Sequence, residues 1–286
     1  MTKPTPDQID AANAKSRRLR ELLLAPEILI LPGAFNVLSA LLFQHLGFPA
    51  IQGSSSGFAN AMGYADLAIG RDTAVQVHKL VAAAVRVPVN ADGEAGFGGP
   101  DEVRETVRQF IAAGAAGMNM EDGTHTGTTR GLLSLDQQLE KIAAFMDERK
   151  KLGSEFLLNA RCDAFIAMRA EPAQALAEGV RRGQAYAEAG GDSIFFFGTG
   201  DKNAIRTLVK EIPAPVSILA GPGVPSAKEL EELGVARVSY GSQFLQVAVG
   251  AVKRAALEVL EQKTHELMSD GVGGAQMKAI LDERVS

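Results

Sequence analysis

Two carboxylates, Asp92 and Glu94, stand two residues apart where the apolar run Val87-Pro-Val-Asn-Ala91 gives way to Gly93, Gly96 and Gly98. Acids so spaced at a strand end can converge on one hard cation, because oxygen ligands suit Mg²⁺ or Mn²⁺ and glycines let the backbone turn away. A second acidic pair, Glu121-Asp122, closes the next apolar run, Gly117-Met-Asn-Met120. A single acid after a strand is ordinarily a turn former or a helix cap, and Asp101, after Gly99-Pro100, reads that way. The repeat of the pattern on consecutive strands is what points to a metal site, with three or four carboxylates gathered at neighbouring strand ends.

Other chemistry lies at the ends of nearby apolar runs. Arg161 leaves the run Phe156-Leu-Leu-Asn159 and must find an anion, either a substrate carboxylate suited to its planar fork or a partner such as Asp163 or Glu121. Ser54-Ser-Ser-Gly57 could wrap an oxyanion with successive backbone N–H groups, although serine-glycine runs also form plain loops. Cys162 follows Arg161, so strand alternation turns it to the opposite side and it reads as a packed core residue. His125 lies in the glycine- and threonine-rich loop Gly123–Arg130, where it could act as general acid or base over the acidic site.

These groups need elements to hold them. A helical pattern over residues 7 to 24 leads in, and the run 27 to 31 is a first strand stopped by Pro32-Gly33. Further strand-like runs follow at 49–52, 87–91, 117–120, 156–159, 193–197, 216–219 and 237–240. Between them lie helical patterns at 37–46, 71–85, 101–113, 134–151 and 172–189, and Ser134 with Gln137 forms a capping box. Eight such alternations predict a (β/α)8 barrel, whose reacting groups come from the carboxyl ends of the strands. We read the chain as one barrel domain over 1–286, with a lead-in helix within 1–26 and a C-terminal helical arm at 243–286. The surplus apolar helix there either packs on a neighbouring subunit, making a homodimer or homotetramer, or folds under its own barrel.

Composition removes several classes of function. The chain has 286 residues, 46% hydrophobic and 22% charged, with net charge −5 and pI near 5.5. No basic stripe appears, which argues against nucleic acid as a partner. One cysteine forbids an intrachain disulfide and suits a reducing compartment. No apolar run approaches the roughly 20 residues of a membrane span, and the N-terminus lacks the apolar core of a signal peptide, so we expect a cytoplasmic protein without a membrane partner. Its four histidines never fall into a zinc-binding spacing.

In this order the motifs resemble the isocitrate lyase and phosphoenolpyruvate mutase superfamily from about residue 20 to 260. The segments that carry the likeness are Gly47-Phe-Pro-Ala-Ile51, Ser54 through Gly63-Tyr-Ala-Asp66, Pro88-Val-Asn-Ala-Asp-Gly-Glu-Ala-Gly-Phe-Gly98, Gly114 through Asp122, and Asn159-Ala-Arg161. The resemblance implies a (β/α)8 barrel, often with its last helix exchanged between subunits, and a Mg²⁺ (or Mn²⁺) that binds a small α-oxo acid. Carried over by position, Asp92 is the direct metal ligand and Glu94 and Glu121 hold metal-bound water. Ser54, Ser55 and Ser56 receive the substrate's carboxylate or phosphonate end, Asp66 lies beside the metal site, and Arg161 contacts the substrate. Such a metal stabilises the enolate common to the family's C–C and P–C cleavages.

The chain also departs from its resemblance. The superfamily's lyases carry a Lys-Lys-Cys-Gly-His type of loop after the fourth strand, with its cysteine as the acid, whereas Gly123–Arg130 holds no cysteine. The mutases carry a Lys-x-Asn-Ser loop there and a histidine after the sixth strand, where this chain has Thr129-Arg130 and Phe197-Gly198. The expectation is therefore a Mg²⁺-dependent lyase or hydrolase of an oxaloacetate- or phosphonopyruvate-like acid, other than isocitrate or methylisocitrate lyase. The alternatives are a mutase-type phosphorylmutase and a non-catalytic, metal-dependent binder of oxo acids.

Overall fold

The computed structural model describes residues 3–126 and 129–285, without the side chains of residues 125, 126 and 129. Its strands are β1 Leu29–Leu31, β2 Gly33–Ala34, β3 Ile51–Gly53, β4 Val89–Asp92, β5 Gly117–Glu121, β6 Gly123–Thr126, β7 Thr129–Leu132, β8 Leu157–Cys162, β9 Ser193–Phe196, β10 Val216–Leu219 and β11 Arg237–Ser239. The helices are α1 Pro6–Leu23, α2 Val37–His45, α3 Ser55–Ala61, α4 Gly70–Ala84, α5 Pro100–Ala112, α6 Leu135–Lys151, α7 Ala164–Ala167, α8 Pro172–Glu188, α9 Lys202–Glu211, α10 Ala227–Glu232, α11 Gln243–Leu257 and α12 Gly274–Leu281. All strands except the β6–β7 hairpin join one parallel sheet in the order β2-β3-β4-β5-β8-β9-β10-β11-β1. Its two ends are halves of one stave, broken at Pro32, so the sheet closes into the expected (β/α)8 barrel.

Strand alternation sorts the side chains. In β4, β5 and β8 every second residue (Met118, Met120, Leu158, Ala160, Cys162, Ala91) joins the hydrophobic layer beneath the helices. The residues between them, Asn90, Asp92, Asn119, Glu121, Asn159 and Arg161, point into the barrel, as a period of two requires. A parallel strand covered by helices outside can therefore carry polar groups inside only if they satisfy one another. Several of them do so: Asn90 Nδ2 donates to Gln52 Oε1 at 3.0 Å and to Asn119 Oδ1 at 3.0 Å. Asn159 Nδ2 donates to Asn119 Oδ1 at 2.7 Å, and Ser193 Oγ to Asn159 Oδ1 at 2.5 Å.

The amino end of the barrel is plugged. Thr5 caps α1 in a capping box with Gln8, Pro6 occupies its first turn, and Ala12, Ser16, Leu19 and Leu23 form its buried stripe. Ser16 Oγ donates to Ala116 O at 2.9 Å, just before β5, and Arg20 and Arg149 both bind Asp192, just before β9. Burying Leu19 and Leu23 there stabilises by about 1.5–3 kcal/mol each. With this end closed, any ligand must enter at the carboxyl ends of the strands.

Three elements differ from expectation. The serine-glycine stretch after β3 is the start of the short helix α3, with Ser54 as N-cap accepting from Gly57 N at 3.1 Å. The loop after β5 is a hairpin, β6–β7, in which the backbone of His125 pairs with that of Arg130. The C-terminal arm divides its behaviour. No residue of α11 is buried in the single chain, whereas α12 returns to pack on α2 with Ile280 buried.

Candidate active site

At the carboxyl end of the barrel lies a cavity of about 410 Å³ that collects Ser54, Ser55, Ser56, Asp66, Asp92, Glu94, Glu121, Arg130 and Arg161, among others. Its floor is the upper layer of inward residues, including Gln52, Asn119, Phe195 and Ser239. The site residues read from the sequence thus line one cavity. The exception is His125, whose side chain lies outside the described residues. Asp122, the possible fourth acid, is absent from the cavity because it follows Glu121 by one position and turns towards the helices.

Asp92 is held from three sides. Ser55 donates to its Oδ2 through both Oγ (2.8 Å) and backbone N–H (3.2 Å), at the N-terminal turn of α3. Glu94 N–H donates to Oδ1 at 3.3 Å. Behind the strand, His78 Nε2 accepts the Asp92 N–H at 3.1 Å, while its Nδ1 faces Ala74 O at 2.7 Å. A carbonyl only accepts and an N–H only donates, so the ring carries its proton on Nδ1 and is neutral. Burial lowers the His78 pKa, which agrees. Gly53 makes the room: a Cβ there would stand 2.4 Å from His78 Nε2.

Arg161 resolves its alternatives by taking both protein partners. Its Nη1 meets Glu121 Oε2 at 2.6 Å, and its Nε and Nη2 grip Asp163 at 2.6 and 2.9 Å. Its guanidinium also lies over Phe197 and Phe195, 5.0 and 5.8 Å from the ring centres. Burial opposes its charge, but the Glu121 and Asp163 carboxylates more than compensate and raise its pKa. One edge of the group still borders the cavity.

The remaining charges leave the cavity acidic. Four carboxylates (Asp66, Asp92, Glu94, Glu121) line it against two guanidinium groups, and Asp163 already claims part of Arg161. Asp66 registers the excess: burial first, then the Asp92 charge, raises its pKa, with Arg161 and Arg130 opposing. Beneath the floor sits one more cation. Arg237, fully inside the barrel, donates through Nη2 to Gln52 Oε1 at 2.5 Å, and burial pushes its pKa down to about 9 with Asp92 pulling upward.

Asp122 instead anchors the hairpin. Its Oδ2 accepts from Tyr186 Oη at 2.6 Å and Arg182 Nη1 at 3.0 Å, its Oδ1 from Asp163 N at 2.8 Å, and Arg182 Nη2 donates to Leu133 O at 2.8 Å. Cys162 is buried, and burial pushes its thiol well up, so it is no nucleophile. Sequence reasoning missed His78 and Arg237. His78 stands on the apolar stripe of α4 with Ala74 and Val81, where its spacing signals only core.

The comparisons with known proteins agree with this architecture. The family model described as phosphoenolpyruvate phosphomutase matches residues 19–260. The chain is 30% identical to 2-methylisocitrate lyase of Bacillus subtilis (strain 168), over 94% of this chain and 88% of that one. It is 32% identical to phosphonopyruvate hydrolase of Variovorax sp. (strain Pal2), over 84% of each. A solved phosphonopyruvate hydrolase, in complex with oxalate and Mg²⁺, superposes with a TM-score of 0.82 at 29% identity, over 94% of both chains. Among the described residues no helix is long and apolar enough to cross a membrane. A family match spanning most of the barrel shows that the chain belongs to the phosphoenolpyruvate phosphomutase family, within the isocitrate lyase and phosphoenolpyruvate mutase superfamily.

Proposed function

We propose that the protein is a Mg²⁺- or Mn²⁺-dependent lyase or hydrolase of a small α-oxo acid, cleaving the C–C or P–C bond beyond the α-carbonyl through an enolate. The observation that carries this reading is the meeting of Asp92, Glu94 and Glu121 in one small cavity where acids outnumber cations. A cavity of this size suits a compact ligand.

The donor set fits such a cation in kind, being all oxygen. Among the described residues no three His, Cys, Asp or Glu side chains are grouped so as to hold an ion. Mg²⁺ characteristically keeps several waters and takes only one or two carboxylates directly. Asp92 is then the direct ligand, and Glu94 and Glu121 hold the ion's water. The chemistry supplied by a bound cation would be polarisation of the substrate carbonyl. The relative solved with oxalate and Mg²⁺ supports this choice.

The chain's own residues do the rest. Ser55 and His78 fix Asp92, and Arg161 fixes Glu121. The exposed edge of Arg161, Arg130 from the hairpin and the hydroxyls of Ser54 and Ser56 meet the substrate's anionic end. When the bond breaks, its electron pair remains on the carbon beside the carbonyl, which must then receive a proton. Asp66, raised towards its protonated form, and His125 on the hairpin are the carriers in this reading. The lack of a cysteine in 123–130 is what supports, in this reading, a substrate other than isocitrate or 2-methylisocitrate.

A panel of oxaloacetate, phosphonopyruvate, 2-methylisocitrate, isocitrate and 2,3-dimethylmalate with Mg²⁺ tests it, following pyruvate, phosphate and acid products together. Cleavage of one acid that vanishes with EDTA and in Asp92→Ala is expected. Conversion of phosphonopyruvate without phosphate release would replace this reading with a phosphorylmutase. Silence across the panel with oxalate still bound would replace it with a binding role, and Mn²⁺ affinity unchanged in Asp92→Ala would refute the metal assignment.

A further inference from the structure

The loop from Asp92 to Gly98 takes a strained backbone that draws on support from outside it. Glu94 and Phe97 sit in the left-handed region at φ +47° and +59°, alongside Gly96 at +82° and Gly98 at +148°. For residues with a Cβ that conformation costs about 1–2 kcal/mol each, and it persists only where the surroundings over-determine it. Gly96 N–H donates to Gly93 O at 2.7 Å and Thr106 Oγ1 to Gly96 O at 3.2 Å, and three further contacts hold the backbone at Glu94 and Ala95. The Glu94 N–H binds Asp92 Oδ1 at 3.3 Å, and its carbonyl accepts from Glu121 N–H at 2.8 Å. The third comes from outside the acidic site: Lys141 Nζ, on α6, donates to the carbonyl of Ala95.

Lys141 is an expensive residue for that task. It is 5% exposed, and taking an ammonium from water is unfavourable unless opposite charge and hydrogen bonds answer it. Burial lowers its pKa, against the pull of the Glu121 and Asp122 carboxylates at the end of β5. It also borders a side cavity of about 320 Å³ that shares Glu94 and Glu121 with the main one, so its charge stands directly behind those acids. A neutral side chain of the same length would fill the space at less cost; what it would lack is the donor to Ala95 and the charge behind Glu121.

We propose that Lys141 is a positioning residue of the carboxylate site: by gripping the Ala95 carbonyl from behind, it holds the left-handed 94–98 loop in the form that turns Glu94 into the cavity with Glu121. The brace is a contact within the chain itself; only its consequence for cation binding rests on the function proposed above.

The test uses full-length Lys141→Met, which keeps the apolar stem, and Lys141→Arg, which keeps charge and donors. In metal-free protein, hydrogen exchange at the amides of Glu94, Gly96 and Glu121 should quicken in Lys141→Met by about 10- to 100-fold, as loss of a buried charged hydrogen bond implies. The amides of β8 and β9 should keep their protection, separating a local loosening from general destabilisation. Mn²⁺ affinity should fall by about tenfold with it, and Lys141→Arg should restore both. Unchanged exchange at the three amides, or a loss of protection spread evenly over the barrel, would overturn the assignment. Wild-type protein that fails to bind Mn²⁺ would refute the metal reading alone, and the exchange measurement would still decide the role of Lys141.

Discussion

Replacing Arg161 by methionine separates an anchor from a passive lining residue. The substitution keeps an apolar stem against Phe195 and Phe197 but removes the guanidinium that pairs with two buried acids, Glu121 and Asp163, whose side chains are 5% and 3% exposed. Three short contacts vanish together, at 2.6, 2.6 and 2.9 Å. Breaking a buried ion pair from one side costs about 3–5 kcal/mol, because each remaining carboxylate keeps its desolvation cost and loses its closest counter-charge. Taking a urea m-value of roughly 3 kcal/mol/M, the unfolding midpoint should drop by about 1–2 M. Adding Asp163→Asn removes one stranded charge, so the double variant should recover part of the loss, with a coupling of about 1–3 kcal/mol across the cycle. Lys at position 161 should rescue only in part, since one ammonium cannot grip both acids as a fork does. A midpoint for Arg161→Met within about 0.3 M of wild type would refute the argument.

His78 gives a pH signature. Its folded pKa lies below the unfolded value of 6.5, so the unfolded chain takes up the proton more readily. The stability from neutral His78 is complete above that value and is lost as pH falls through the folded pKa. Urea midpoints from pH 7.5 to 5 should therefore fall more steeply in wild type than in His78→Gln; equal slopes would sink the point. For the arm, α11 exposes Val247, Val249 and Val252, an apolar surface that a second copy of the chain would cover. We expect sedimentation to give a dimer or tetramer, and Val252→Glu to shift it towards monomer; a monomeric wild type would end that proposal.

The staves were legible because each is a short apolar run punctuated by glycine or polar residues, and alternation then says which side chains face inward. That logic separates Arg161 from Cys162 without a structure, whereas Glu121 and Asp122, read together as strand-end acids, are parted only by the cavity that Glu121 alone lines. It fails where local signals are short or where tertiary contacts decide. Three serines and a glycine carry little helix preference, and α3 forms because Ser54 caps it and Asp92 receives the N–H of Ser55. The β6–β7 hairpin has too many glycines to read as strands, and its root is tied through the neighbouring Asp122 to Arg182 and Tyr186 on the distant α8. Whether Arg161 would meet a substrate or its neighbours depended on the reach of Asp163, which spacing along the chain leaves open.

The break at Pro32 bears on how the barrel is built. The lower half of the first stave, β1, bonds to β11, pairing Leu29 with Arg237, while the upper half, β2, bonds to β3. Every other junction joins strands that follow one another closely in the chain, so the sheet from β2 to β10 can assemble stepwise by local crossovers. The last junction must wait for nearly the whole chain, and contacts so remote in sequence are slow to form. Until β11 arrives, β1 and β10 are open edges with unpaired N–H and C=O groups, the state in which sheets pair with the wrong neighbour. A chain ending before residue 237 would be left in that condition, a curled sheet with two adhesive margins.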